Sequence, residues 1–182
     1  MSAKKIKRSK FASFLNVGTV AAPEWGLIGN GVTSMTVAYN PQTSDETYIH
    51  EDSGTKDVTG YAPTSAVPMT AHKGDPVFDF VDKLRRTRAV LDEARTEICL
   101  VYLYDGEDGS NAYPAEKNTC SIQIDDFGGE GGGSNVINFT INFVGDAVEG
   151  TFDPTTATFT ENGASSGGEE NTGDEGTEEP TE

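Results

Sequence analysis

Asn135-Val-Ile-Asn-Phe-Thr-Ile-Asn-Phe-Val144 is the run that decides the fold. Ile137, Phe139, Ile141 and Phe143 fall on every second position, and Asn138, Thr140 and Asn142 fill the places between. Side chains of a strand alternate between its two faces, so this run is a strand with an apolar face on a core and a polar face open. Downstream, Val144-Gly145-Asp146 reads as a turn that sends residues 147–152 back as the second leg of a hairpin. Residues 156–160 suggest a last short strand. Upstream, residues 119–125 set Cys120, Ile122 and Ile124 on alternate positions. Residues 97–104 carry Ile98, Leu100, Tyr102 and Tyr104 on one side and Cys99, Val101 and Leu103 on the other. Apolar on both faces, that strand belongs in the middle of a sheet. Residues 31–39 form the first strand, with Met35, Val37 and Tyr39 on one face, and Asn40-Pro41 ends it. The chain is mainly β.

One helix interrupts the pattern, over about 76–88. Asp75 can cap it, and Pro76 suits the first helical position, where its missing N–H costs nothing. Val77, Phe80, Val81 and Leu84 then make one apolar stripe. Asp79 and Asp82 each stand four residues before a base, Lys83 and Arg86, in the favoured orientation for an ion pair. Lys83, Arg85, Arg86 and Arg88 crowd the C-terminal end, where the helix dipole favours cations.

Residues 42–74 are polar for more than thirty positions, yet isolated apolar side chains recur there: Tyr48, Ile49, Tyr61, Val67 and Met69. A structureless loop of that length inside a domain is uncommon and usually functional. Residues 47–50 and 57–61 pair on paper across Asp52-Ser53-Gly54. Such a hairpin is marginal alone, so the segment reads as an arm completed by another subunit.

The ends of the chain are oppositely charged. Lys4, Lys5, Lys7, Arg8 and Lys10 open it, leading into the apolar group Phe11, Phe14 and Leu15, and residues 1–15 read as a basic arm. No apolar h-region follows the lysines, and no stretch approaches the ~20 apolar residues of a membrane span, which predicts a soluble cytoplasmic product without a membrane anchor. Residues 161–182 hold eight acidic side chains and no basic one, amid Gly, Ser and Thr. That composition cannot offset its ordering entropy and predicts a disordered acidic tail behind a single domain over 1–160. Formal net charge is −17, and the body stays acidic without the tail, which argues against sequence-specific DNA binding.

Chemistry-bearing motifs are sparse. His50 and His72 stand in the polar arm, and neither a nucleophile elbow, H-E-x-x-H nor a Walker A sequence occurs. The glycines of 128–133 precede a strand rather than a helix, so they make a turn and not a phosphate cradle. Residues 105–111 place oxygen donors at alternate positions but lack the closing glutamate of a calcium loop. Cys99 and Cys120 read as buried free thiols; a disulfide would require both to face the same way on neighbouring strands. No catalytic residue, cofactor or metal site is nominated, and the chain reads as no enzyme.

Four segments together resemble the tail tube subunits of long non-contractile-tailed bacteriophages. They are the run from Gly31 to His50, the run Lys73-Gly-Asp-Pro-Val-Phe-Asp-Phe-Val-Asp-Lys-Leu-Arg-Arg86, Ser121-Ile-Gln-Ile-Asp-Asp-Phe-Gly-Gly129, and Asn138-Phe-Thr-Ile-Asn-Phe-Val-Gly-Asp146. The likeness spans about residues 5–153 and leaves the acidic tail outside. It implies a β-sandwich or barrel with a flanking helix, self-assembling into hexameric rings that stack into a hollow tube in the virion tail. One sheet from each subunit would join a barrel around the lumen, with the long loop reaching the adjacent ring. Implied partners are other copies, the tape measure, tail tip and tail terminator proteins, and phage DNA passing transiently without sequence-specific binding. Assembly would take place in the bacterial host cytoplasm. On this reading the inter-subunit contacts fall to Lys4, Lys5, Lys7, Arg8, Phe11, Phe14, Tyr48, Ile49, His50, Tyr61 and Met69, and Asp125 and Asp126 face the lumen. Two other readings are an adhesion or carbohydrate-binding β-sandwich, and the inner tube of a contractile or type VI-like system. The lone Trp25, without aromatic company in sequence, weakens the first of these.

Overall fold

The computed structural model describes residues 3, 5–50, 52–106 and 111–163. Along them run β1 (Phe11–Asn16), β2 (Trp25–Leu27), β3 (Thr36–Ala38), β4 (Pro41–Glu46), β5 (Thr55–Tyr61), β6 (Thr64–Thr70), α1 (Pro76–Thr87), β7 (Arg95–Tyr102), β8 (Tyr113–Gly128), β9 (Val136–Asp153) and β10 (Thr158–Glu161). An antiparallel sheet takes the order β2-β1-β7-β8-β9-β6-β3, with β10 added beside β9. β4 and β5 form a separate two-stranded sheet.

The strand read around Phe139 belongs to a longer β9, whose alternation lapses after Ile141 and resumes at Gly150, and its partner β8 is almost as long. Val144-Gly145-Asp146 is therefore no hairpin turn, as the sequence suggested. The ladder passes from Thr119↔Val144 to Lys117↔Val148, so the surplus β9 residues loop out as a bulge, with Gly145 at φ +70°. The return strand is β10, after a turn at 154–157. The glycines near 130 form the tip joining β8 to β9.

Each face of the sheet has its own core. On the first face Leu15, Ile98, Cys120, Val67, Ile137, Phe139 and Ile141 are covered by Val77, Phe78, Val81 and Leu84 of α1. Asp75 accepts hydrogen bonds from the backbone N–H groups of Val77 and Phe78, and Arg88 closes the helix in the left-handed conformation. Phe78 takes the buried place the sequence assigned to Phe80, which packs only partly against this core. Asp82 pairs with Arg86 at 2.6 Å and Arg85 at 2.7 Å. Asp79 instead accepts from the Gly74 N–H at 3.2 Å, forgoing the expected Lys83.

On the second face Phe14, Cys99, Val101, Ala115 and Phe152 make a smaller core, with Trp25 and Phe159 at its rim. Phe14 and Phe152 stand on strands separated by β7 and β8, which a flat sheet would hold about 14 Å apart. Their ring centroids are 4.5 Å apart, so the sheet curls over this core in barrel fashion. Cys99 and Cys120 lie on opposite faces in different cores and are free thiols. Burial pushes both thiols up to about 12.

Three further expectations are corrected. Phe11–Asn16, assigned to a basic arm, is an interior strand between β2 and β7. The expected strand over 31–39 shrinks to β3, preceded by an isolated bridge from Val32 to Met69. Residues 64–70, assigned to the polar arm, form β6, paired along its length with β9. Among the described residues no helix is long and apolar enough to cross a membrane.

Candidate functional site: an open sheet face and a bare hairpin

The second face changes character along its length. Where β7, β8 and β9 end near Tyr102, Tyr113 and Asp153, it is the apolar core just described. Beyond the Glu97–Lys117 ion pair, at 3.3 Å, the same face is polar and open. Across it run Thr64–Asn142–Ser121 and Ala66–Thr140–Gln123, each row one residue wide on each of three strands. All six are exposed or half-buried, while Ser65, Val67 and Met69, alternating with them on β6, are buried.

Asp125 and Asp126 belong to this face, and a bulge puts them there together. The ladder steps from Ile124↔Phe139 to Asp126↔Asn138, so β8 carries one residue more than its partner. Two consecutive carboxylates, which a regular strand would send to opposite sides, thereby share one. Asp125 accepts from Gln123 at 2.7 Å and Thr140 at 2.8 Å; Asp126 accepts from Asn138 at 2.8 Å. Both are exposed.

This half of the sheet has four strands, β8-β9-β6-β3, and two free edges. β7 stops pairing at Ser121, so among the described residues no strand bonds the outer side of β8 from Ile122 to Gly128. At the opposite edge, β3 pairs only with β6. Unpaired backbone at a sheet edge is a template for another strand.

The arm leaves the sheet beside β3. Asn40 adopts a left-handed conformation at φ 44°, which asparagine tolerates. Its side-chain amide donates to Ala62 O at 3.0 Å and Thr64 Oγ1 at 3.1 Å, tying the two legs together. Tyr39 and Tyr61 meet edge to face at the base, with centroids 6.3 Å apart. The hairpin pairs Pro41–Glu46 with Thr55–Tyr61, several residues earlier on the first leg than the sequence suggested. No side chain of either strand is buried. Tyr48, Val58 and Tyr61 are more than half exposed, and Ile49 is fully so.

The expected contact residues thus divide. Lys5, Lys7 and Arg8 are exposed, and Arg8 donates to the carbonyl oxygens of Phe11 and Met35. Tyr48, His50 and Tyr61 lie on the arm with Ile49, and Tyr48 stacks on His50 at 6.0 Å. Phe11 is half-buried against Tyr102. Phe14 and Met69 are corrections: both are buried within the subunit's own cores, because β1 and β6 are sheet strands and not arms. Lys4 lies outside the described residues, as do positions 107–110 of the calcium-like loop and 164–182 of the acidic tail. Sequence reasoning missed the free β8 edge and the bulge; Asp-Asp in an alternating strand was the available signal. Among the described residues no cluster of three or more His, Cys, Asp or Glu is placed to hold a metal.

No protein family's sequence profile matches the chain, and no curated protein matches it by sequence. Its fold is that of several solved structures. The SPP1 tail tube aligns with a TM-score of 0.62 and 10% identity over 80% of this chain and 78% of its own. A chain from the tail of an empty GTA particle, solved with C6 symmetry, aligns with a TM-score of 0.58 and 13% identity over 79% and 97%. A chain from the sheath/tube terminator of the contractile injection system PVC, in its extended state, aligns at 0.51 and 8% over 82% and 99%. At such identities the likeness is one of fold.

Proposed function

We propose that this chain is a structural subunit of a hollow tail tube, built from stacked rings of six copies, with no catalytic turnover. The carrying observation is the pairing of a four-stranded stretch of sheet, polar on one face and free at both edges among the described residues, with a hairpin whose strands bury no side chain. Joining β3 of one copy to the outer edge of β8 in the next pairs the short β3 edge with part of the free edge over 122–128. Four antiparallel strands per copy keep the alternation unbroken around such a ring. The curvature that closes it turns one sheet face inward, and α1 occupies the other. The inward face is then the one bearing Thr140, Asn142, Gln123, Asp125 and Asp126. None of these five side chains is a cation, and the two carboxylates repel phosphates, which suits a conduit for DNA. The six-fold symmetry of the GTA tail supports the ring size.

The arm supplies the contact between rings. Its exposed Tyr48, Ile49, Val58 and Tyr61 are covered only by another copy, and a head-to-tail contact of this kind propagates as a filament. Tail tip, terminator and tape measure proteins would bound and fill the tube within a virion tail assembled in the host cytoplasm. Negative-stain electron microscopy of the purified chain, at rising concentration and two salt levels, tests this reading. Hollow tubes of uniform width are expected; a strict monomer, even with tail-tip nuclei added, overturns it in favour of a monomeric binding module.

A further inference from the structure

Lys5, Lys7 and Lys10 line a groove of about 590 Å³ whose other wall is Leu103 to Gly106, just past the end of β7. All three lysines are exposed, and among the described residues none makes an ion pair or hydrogen bond through its side chain. Among the described residues Asp105 is the one acid lining the groove. On a protein of net charge −17, these three ammonium groups make a local basic patch that complements an anionic segment.

The chain carries one. Between Ala164 and Glu182 it has seven carboxylates, Glu169 to Glu182, and no base. The described part ends at Gly163, just beyond β10, and the ladder fixes where that is. Phe159 pairs with Phe152, which pairs with Tyr113. Continuing the register through β7 to β1 brings this row to Leu103 and Lys10. Four strand spacings of ~4.8 Å put Phe159 about 19 Å from Lys10 along the sheet, and the residues to Gly163 add about 13 Å at right angles. Gly163 thus lies roughly 23 Å from Lys10, at the near edge of the groove, and nearer where the sheet curls. A Gly/Ser/Glu-rich segment the length of 164–182 has an r.m.s. span of about 22–26 Å. Effective concentration peaks when span and distance match.

We propose that the acidic segment 164–182 docks on the lysine groove of its own subunit. Resting on the tube reading, the docked segment shields the basic N-terminal arm from the acidic surfaces of other copies until assembly displaces it. Each contact is exposed and weak, so the docking is polyelectrolyte in kind and reversed by salt.

The test is zero-length carbodiimide cross-linking of the full chain, kept below its assembly concentration, as a mixture of 15N-labelled and unlabelled copies read by mass spectrometry. Amide links from Lys5, Lys7 or Lys10 to Glu169–Glu182 within single copies are expected, lost in about 1 M NaCl, where the Debye length falls to ~3 Å. A chain ending at Gly163, which keeps every described strand, should show these lysines acetylating at least roughly twofold faster. Links only between labelled and unlabelled copies, links to Glu107 or Asp108 in place of the tail, or unchanged acetylation would each overturn the proposal. These readouts use dispersed subunits, so they stand or fall separately from tube formation by microscopy.

Discussion

Asp125 and Asp126 stand two abreast opposite Asn138 because β8 carries one residue too many there. If this face lines a lumen, the charge at these positions sets how DNA passes. Tubes of the double variant Asp125→Lys, Asp126→Lys should keep their width but retain DNA, released progressively by salt, whereas unmodified tubes retain none; filter binding across a salt series measures this. Burial separates two other residues that looked alike in sequence. Met69→Ala should cost the subunit about 2–5 kcal/mol, as expected for a fully buried methionine. Tyr61→Ala, at an exposed site, should leave subunit stability within about 0.5 kcal/mol and weaken tube formation. Denaturant melts alongside microscopy distinguish the two. The thiols give a pH test. Burial raises Cys99 and Cys120 to about 12 in the folded chain, above their ordinary value near 9. A raised acid pKa means the folded state holds the proton longer, so this contribution to stability is complete below pH 9 and lost as pH rises from 9 towards 12. Melts at stepped alkaline pH should show that decline, and replacing both cysteines with alanine should lessen it, leaving the part due to Tyr102, whose phenol burial raises as well.

Among the described residues the arm is a sheet of its own with no buried side chain in its strands, tied to the body at its base by Asn40 and the Tyr39–Tyr61 contact. Replacing residues 43–59 by a short Gly-Ser turn should leave the thermal midpoint of the subunit nearly unchanged and abolish tubes. Normal tubes from that deletion would sink the role given to the arm. The element scale is also where sequence reading succeeded and failed most informatively. α1 was legible to within a residue because capping aspartate, Pro76 and the 3.6-residue stripe all agree. The central place of β7 was legible because both its faces are apolar. β1 was not, since Phe11-Ala-Ser-Phe-Leu-Asn16 shows its two-faced burial only once each face has a core to meet. β6 hid among Thr, Ser and Pro residues, with Val67 and Met69 alone to mark its apolar face. Gly145 read as a turn because sequence cannot tell a glycine that reverses a chain from one that lets a bulge form. Of the candidate site, the exposed arm residues and the two aspartates were nameable beforehand; the free β8 edge is a property of pairing, absent from any local pattern.

At the scale of the whole molecule, β9 passes from Ile137, Phe139 and Ile141 in the first core to Phe152 in the second. The two cores therefore share a backbone and should not melt apart. Trp25 sits against Phe152 at 6.0 Å and reports on the second core, while the thiol of Cys120 reports on the first. Tryptophan fluorescence and the onset of Cys120 modification should follow one denaturant curve. Two separate midpoints would show the cores to be independent. Phe152→Ala should move both signals together, by about 3–5 kcal/mol.

The long ribbon of β8 and β9 also has a mechanical meaning. Its ladder runs from Gly128↔Val136 to Tyr113↔Phe152, like a spar through two ribs. A pull along it loads many backbone hydrogen bonds at once in shear, where none can yield before its neighbours. A pull across it opens them singly, as a zipper. A subunit whose spar lay near the axis of a filament would resist stretching far better than it resists peeling.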